Sequence, residues 1–334
     1  MKHTIRSAAV VTLAGLSLVA VSCSRPSNAA STPTATNNKS ATLIMSTLNN
    51  PFFVSVKNGA QAEATRKGIK LDIQNANNSD ATALNLATTA ITNKPGILIV
   101  DPVGSQSGTA EVSAANQAGV PVMAFDRQPA GGNLTTFVGY DATQAGKNAA
   151  DGLAKALGGK GTIVEIQGIL GTNVAQDRSQ GFRAEMTKYP QITTVATQSA
   201  NFDRATALDV MTNILQAHPD INGVYAANDE MAMGVLAALK ARNLAGTVKL
   251  VGNDGISDAL AAINDGQMYA TNAESAYALG EQVIDRAADV LAGKQVARNT
   301  VLQGELVTKD GVEAYAQHLI SIGDAADVPA GLKS

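Results

Sequence analysis

After Ser40 the chain alternates short Val/Ile-rich runs with amphipathic Ala- and Leu-rich stretches, and that alternation limits the folds open to it. Strand-like runs fall at Thr42–Ser46, Lys70–Ile73, Gly96–Val100, Val120–Phe125, Thr162–Ile166, Thr193–Thr197, Gly223–Ala226, Lys249–Val251 and Met268–Thr271. Between them lie helical patterns, among them Val54–Arg66, Ala81–Ile91, Gln144–Leu157, Arg178–Lys188, Ala205–Gln216, Met231–Arg242 and Leu279–Leu291. Strands separated by helices indicate βαβ units and a parallel sheet. At 334 residues the chain is long enough that such a sheet is expected to divide between two domains.

Composition narrows the function. Hydrophobic residues make up 45% and charged residues 16%, which is globular and not disordered. A net charge of −3 is too little positive charge for a nucleic-acid partner held through its phosphates. A single Cys forms no intrachain disulfide and no Cys-based zinc site. Three His, one of them His3, leave few metal ligands or general bases, so neither a metal nor a cofactor is expected. His218, in Ala217-His218-Pro219-Asp220, reads as a helix-end residue.

Residues 1–22 read as a signal peptide. Lys2, His3 and Arg6 precede an apolar run from Ala8 to Val21, too short to span a bilayer as a helix. The end of that run, Ala20-Val21-Ser22-Cys23, resembles the lipobox of bacterial lipoproteins, with Ala20 where Leu is usual. Cleavage there makes Cys23 a lipidated N-terminus; the competing reading is ordinary cleavage near Asn28-Ala29-Ala30. Either way the chain is expected to be exported, to the periplasm or the outer face of the cytoplasmic membrane. Residues 23–40, rich in Ser, Thr, Asn, Ala and Pro, read as a flexible tether.

In open α/β sheets ligands bind beyond the C-terminal ends of the strands. Here those ends carry Ser46 to Phe53, Asp101, Asp126-Arg127, Gln167-Gly168 leading to Arg178, Asn201 to Arg204, Asn228-Asp229 and Asp254. Polar groups at one edge of both halves point to a cleft between two facing domains with a polar ligand inside. Asn50, Asp101 and Asn228 also suit helix caps, and Phe52, Phe53 and Phe202 also suit a core. Yet three of only six Phe lie beside these polar loops. Aromatic faces flanking hydrogen-bonding groups suit a sugar, whose C–H faces pack on rings while its hydroxyls are bonded.

These residues are recognisable as a set. Leu48-Asn49-Asn50-Pro51-Phe52-Phe53, Asp126-Arg127-Gln128, Gly168 to Thr172 leading to Arg178-Ser179-Gln180-Gly181-Phe182, Asn201-Phe202-Asp203-Arg204, Asn228 to Ala232 and Gly252-Asn253-Asp254-Gly255 resemble the bacterial periplasmic ribose-binding protein family, over about residues 41–307. The resemblance implies an α/β fold of two doubly wound parallel-sheet lobes, joined by a three-crossing hinge with a ligand cleft between them. The lobes would comprise 41–139 plus 275–303 and 140–274 plus 304–334, with crossings near Gly139–Tyr140, Glu274–Ser275 and Gln303–Gly304.

It implies sugar contacts from Ser46, Asn50, Phe52, Phe53, Asp126, Arg127, Arg178, Phe202, Asn228 and Asp254. Two further positions depart: Asp101 stands where the ribose binder has Asn, and Glu274 where it has Gln. Each replaces a donor-plus-acceptor amide with a group that only accepts when ionised. The function implied is a non-enzymatic solute-binding protein of an ABC importer. It would capture a monosaccharide, D-ribose or a related pentose or hexose, by hinge closure and deliver it to a permease. The expected partners are that sugar and that permease, with the chain monomeric and attached to the membrane only by lipid. A sensor feeding a chemoreceptor is the alternative, and a glycoside-processing enzyme using the cleft carboxylates a further one.

Overall fold

The computed structural model describes residues 38–333. The signal segment, Cys23 and the tether up to residue 37 lie outside them. The described chain opens with β1 (Ser40–Met45), α1 (Pro51–Lys67), β2 (Lys70–Asn75), α2 (Asp80–Thr92), β3 (Ile97–Val100), α3 (Ser105–Gln117), β4 (Val122–Phe125) and β5 (Thr136–Tyr140). A second run follows, through α4 (Ala142–Ala156), β6 (Lys160–Gln167), α5 (Asn173–Met186), β7 (Gln191–Ser199), α6 (Arg204–Ala217), β8 (Gly223–Ala226), α7 (Asp229–Ala241), β9 (Lys249–Asp254), α8 (Ser257–Asn264) and β10 (Ala270–Ala273). The last elements are α9 (Ala276–Leu291), β11 (Asn299–Leu302), β12 (Glu305–Thr308), α10 (Val312–Ser321) and two 3₁₀ turns, Ala325–Asp327 and Ala330–Leu332.

Local chemistry sets the element ends. Asn50 caps α1 by accepting from Phe52 N at 2.9 Å, and Pro51 sits at the first helical position, where a missing N–H costs nothing. The helix therefore starts at Pro51 and not at Val54. Thr172 caps α5 the same way through Ala175 N, so Arg178 sits in the helix's second turn and not at its start. The end of the expected tether is ordered. Asn38 Nδ2 donates to Lys94 O at 2.9 Å, Ser40 Oγ donates to Asn38 Oδ1 at 2.7 Å, and Ser40 already pairs with Lys70 in the sheet. Gln267 and Met268 donate back to Ala262 O to close α8, which moves the following strand to Ala270–Ala273.

The strands form two six-stranded sheets, ordered β11-β5-β4-β3-β1-β2 and β12-β10-β9-β8-β6-β7. β3 (ILIV), β4 (VMAF) and β8 (GVYA) are buried throughout, as parallel strands covered by helices on both faces must be. The chain passes between the sheets after β5, after β10 and after β11. The third passage, Gln303-Gly304, is too short to turn the chain round. β12 therefore enters its sheet from the end at which the other strands finish, and pairs antiparallel with β10. It is the one departure from parallel order among the described strands.

Helix pairs flank each sheet at glycine-to-backbone contacts. A Cβ on Gly146 of α4 would lie 2.1 Å from Arg178 O, and one on Gly181 of α5 would lie 2.0 Å from Thr143 O. Gly59 of α1 and Gly280 of α9 meet in the same way. Besides the passages, the loops after β3, β4 and β6 bring the two lobes into direct contact. Ser105 N donates to Gly171 O at 3.0 Å, Asn173 N to Ser105 Oγ at 3.1 Å, and Gln128 N to Asn173 Oδ1 at 2.8 Å.

Candidate functional site

The C-terminal ends of both sheets converge on a nearly closed chamber of about 20 Å³ lined by Asn50, Phe52, Phe53, Asp126, Arg127, Val174, Arg178, Phe202, Asn228 and Asp254. A space of that size has room for about one water, so the two lobes have closed on each other here. Nine of these ten are expected site residues; Val174, in the first turn of α5, is the addition. Ser46 and Asp101 lie behind Arg127, joined by Ser46 N donating to Asp101 Oδ2 at 3.1 Å. Glu274 reaches the site through Arg178 and lines an adjoining crevice with Phe52 and Asp254.

Asn50 and Asn228 are helix caps, the bland reading of each, and they also line the chamber. Their Oδ1 atoms accept from Phe52 N at 2.9 Å and Met231 N at 3.0 Å, which fixes each amide and leaves its Nδ2 for other partners. Asp101 is no cap; Gly104 holds that place at α3. His218 does end α6.

Three site residues adopt the left-handed region that favours glycine: Asp126 (φ 54°), Phe202 (φ 59°) and Asp254 (φ 125°). For a bulky residue such as Phe this is strained, and strain of this kind gathers at ligand clamps. Specific contacts hold Phe202 and Asp254 in place. Phe202's ring lies against the backbone of Gly168, where a Cβ would sit 2.1 Å from it. Behind Asp254, the buried carboxylate of Asp229 accepts from Gly255 N at 2.7 Å, Ile256 N at 3.1 Å and Thr271 Oγ1 at 2.9 Å. Asp229 was visible in the sequence only as the neighbour of Asn228, because its role depends on a turn that folding brings to it.

The two guanidinium groups organise the charge. Arg127, buried, lies 5.5 Å from the Phe53 ring centroid and 5.8 Å from that of Phe202, one ring from each lobe. Its Nη1 donates to Val103 O at 3.2 Å, and its Nε stands 3.8 Å from both Asp101 Oδ1 and Asp126 Oδ2. Arg178 donates from Nη1 to Ala227 O and from Nη2 to Glu274 Oε2, both at 2.8 Å, with Asp254 Oδ1 at 3.5 Å. Burial opposes its charge, but Glu274 and Asp254 more than offset that and hold the group protonated.

The carboxyl groups feel the opposite balance. Burial pushes Asp101 up to about 7 against the pull of Arg127. Burial also raises Asp126, Asp254 and Glu274, with Arg127 opposing at the first and Arg178 at all three. Ser46 Oγ, Asp101 Oδ1 and Arg178 Nε are buried with no hydrogen-bond partner among the described residues. Of these, only Arg178 belongs to a side chain that lines the chamber, and an unpaired buried donor there gains from a polar ligand. Among the described residues no cluster of side chains is arranged to hold a metal ion.

Comparison with known proteins agrees with this geometry. A family model described as a periplasmic binding protein domain matches residues 41–295. The ribose import binding protein of Escherichia coli (strain K12) is 39% identical over 267 residues, covering 80% of this chain and 90% of that protein. The ribose import binding protein of Bacillus subtilis (strain 168) is 38% identical over 256 residues, covering 77% and 83%. An ABC transporter periplasmic solute-binding protein from Actinobacillus succinogenes 130z, solved with bound D-allose, superposes with a TM-score of 0.79 at 32% identity, covering 83% of this chain and 99% of that one. These relatives bear the names of solute-binding proteins and not of enzymes. With two α/β lobes, three passages between them and a polar chamber at their facing edges, the chain belongs to the periplasmic binding protein family.

Proposed function

We propose that the protein captures a neutral monosaccharide or polyol outside the cytoplasmic membrane, D-ribose or a related pentose or hexose, and delivers it to an ABC transporter permease. The observation that carries this reading is the chamber itself: its donors, acceptors and rings come from both lobes, so only their approach completes the set. A sugar shifts that equilibrium by its higher affinity for the closed form. Hydroxyls can bond Asp126, Asp254, Asn228 and Arg178, while Phe52, Phe53 and Phe202 cover C–H faces. The names of the ribose import relatives support the sugar class.

Charge argues for a neutral ligand. Asp101, Asp126, Asp254 and Glu274 outnumber Arg127 and Arg178, and one bond of Arg178 is already given to Glu274. A sugar acid would add a further carboxylate to a buried site whose own carboxyl groups are all driven toward the neutral form. Calorimetric titration with pentoses, hexoses, pentitols and uronic acids tests this. The expected result is a neutral sugar or pentitol bound with Kd near or below about 1 µM, roughly −8 kcal/mol. A uronic acid binding tighter than every neutral compound would refute it.

Attachment to the membrane belongs to the same proposal. A diacylglyceryl group on Cys23 supplies two chains, where one acyl chain holds only marginally. Cys23→Ala is expected to abolish partitioning into the detergent phase. Unchanged partitioning, or a mature start near Ala30, would contradict the anchor.

A further inference from the structure

Residues 309–333 lie beyond the stretch matched by the family model, yet they are packed. α10 lies on the second lobe against β12 and α8, with Val312, Tyr315, Ala316 and Leu319 buried. Tyr315 stands over Gly255, the residue after Asp254: its hydroxyl is 3.4 Å from where a Cβ on Gly255 would be. The chain then turns at Gly323 (φ 94°), which lies against the hydroxyl of Tyr277 on α9. It arrives at α1 of the first lobe, where Asp324 Oδ2 accepts from Ser55 Oγ at 3.0 Å. Ser55 and Asp324 are both buried, and Val328 and Leu332 pin the stretch beyond. Ser55 is one helical turn after Phe52.

One segment thus holds the second lobe at Tyr315 and the first lobe at Ser55 and Tyr277. The narrow crevice beneath it is shared by Phe52, Asp254 and Glu274 on one side and Tyr315, Asp324 and Asp327 on the other. We propose that Val312–Leu332 is a strap across the hinge side of the cleft: it ties the first turns of α1, which carry Asn50, Phe52 and Phe53, to the second lobe and restrains opening. Ser55 and Asp324 are positioning residues, acting through α1 and not by touching a ligand. The consequence for affinity rests on the proposed sugar-binding function; the restraint itself does not.

Two measurements keep these apart. Nitroxide labels at Thr88→Cys on α2 and Leu208→Cys on α6, both exposed, report the separation of the lobes by pulsed electron resonance in full chain carrying Cys23→Ser. Without added sugar, Ser55→Ala and Asp324→Ala should each shift the distance distribution to longer values. The double variant should shift it no further than either single, because both remove one bond. Asp324→Asn, which keeps an acceptor for Ser55 Oγ, should stay with the parent. With D-ribose as the probe, the two alanine variants should raise the apparent Kd about two- to tenfold by lowering the closed fraction. Distance distributions unchanged in both alanine variants would overturn the strap. D-ribose failing to bind even the parent chain would count against the sugar reading and leave the distances to decide the strap.

Discussion

Arg178 has both terminal nitrogens engaged, one by Ala227 O and one by Glu274, in a site from which solvent is excluded. Arg178→Ala strands Glu274 and Asp254 without counter-charge, and breaking a buried pair in this way costs about 3–5 kcal/mol. We expect a large fall in Tm and loss of sugar binding, with Glu274→Gln added to it restoring part of the stability but not the binding. Asp101 gives a pH signature. The groups acting on it are Arg127, Asp126 and Ser46, and burial prevails, raising it to about 7 against about 3.9 in the unfolded chain. Between those values the folded state binds the extra proton, so its contribution to stability is full below about pH 4 and is lost as pH rises through 7. Thermal melts of Asp101→Asn should therefore gain on the parent from pH 5 to pH 8. An unchanged difference would show that Asp101 stays ionised beside Arg127.

At the level of elements, close helix crossings place the charged groups. Gly146→Ala would drive a methyl into Arg178 O, so α5 must move off α4 and carry Arg178 with it. Overpacking of this kind costs about 1–3 kcal/mol. Calorimetry should show sugar affinity falling together with stability; full affinity in a destabilised variant would place the crossing outside the site's support. Elements with strong apolar periodicity were legible in the sequence, β3, β4, β8 and α7 among them. α3 was not, because SQSGTAEVSAANQ opens with Ser and Gly and buries few large side chains. Nor were β11 and β12, four-residue edge strands exposed on alternate sides. Most candidate residues were legible because they follow strand ends, where type and place both inform, while Glu274 was named only through the family resemblance. Val174 and Asp229 were not, since one is an ordinary helix apolar and the other works through a distant turn. The contacts of Ser105 and Asn173 pair a backbone N–H of one lobe with a partner on the other, which no spacing within the sequence marks.

For the whole molecule, closure is the event that matters, and the direct contacts between the lobes should set how long it lasts. Asn173→Ala removes the acceptor for Gln128 N without altering the chamber's hydrogen-bonding groups. Losing about one hydrogen bond's net worth from the closed form should speed release about three- to tenfold with little change in association. Stopped-flow displacement measures this, and an effect confined to association would argue against a latch. The central claim, that a sugar is held by groups from both lobes and closes them, is tested most directly by small-angle X-ray scattering during a titration. The account predicts a fall in radius of gyration that saturates with the calorimetric binding curve for the best neutral sugar. It also predicts no fall for Arg178→Ala at the same concentrations. Saturable sugar binding with an unchanged radius of gyration, or undiminished binding by Arg178→Ala, would contradict it.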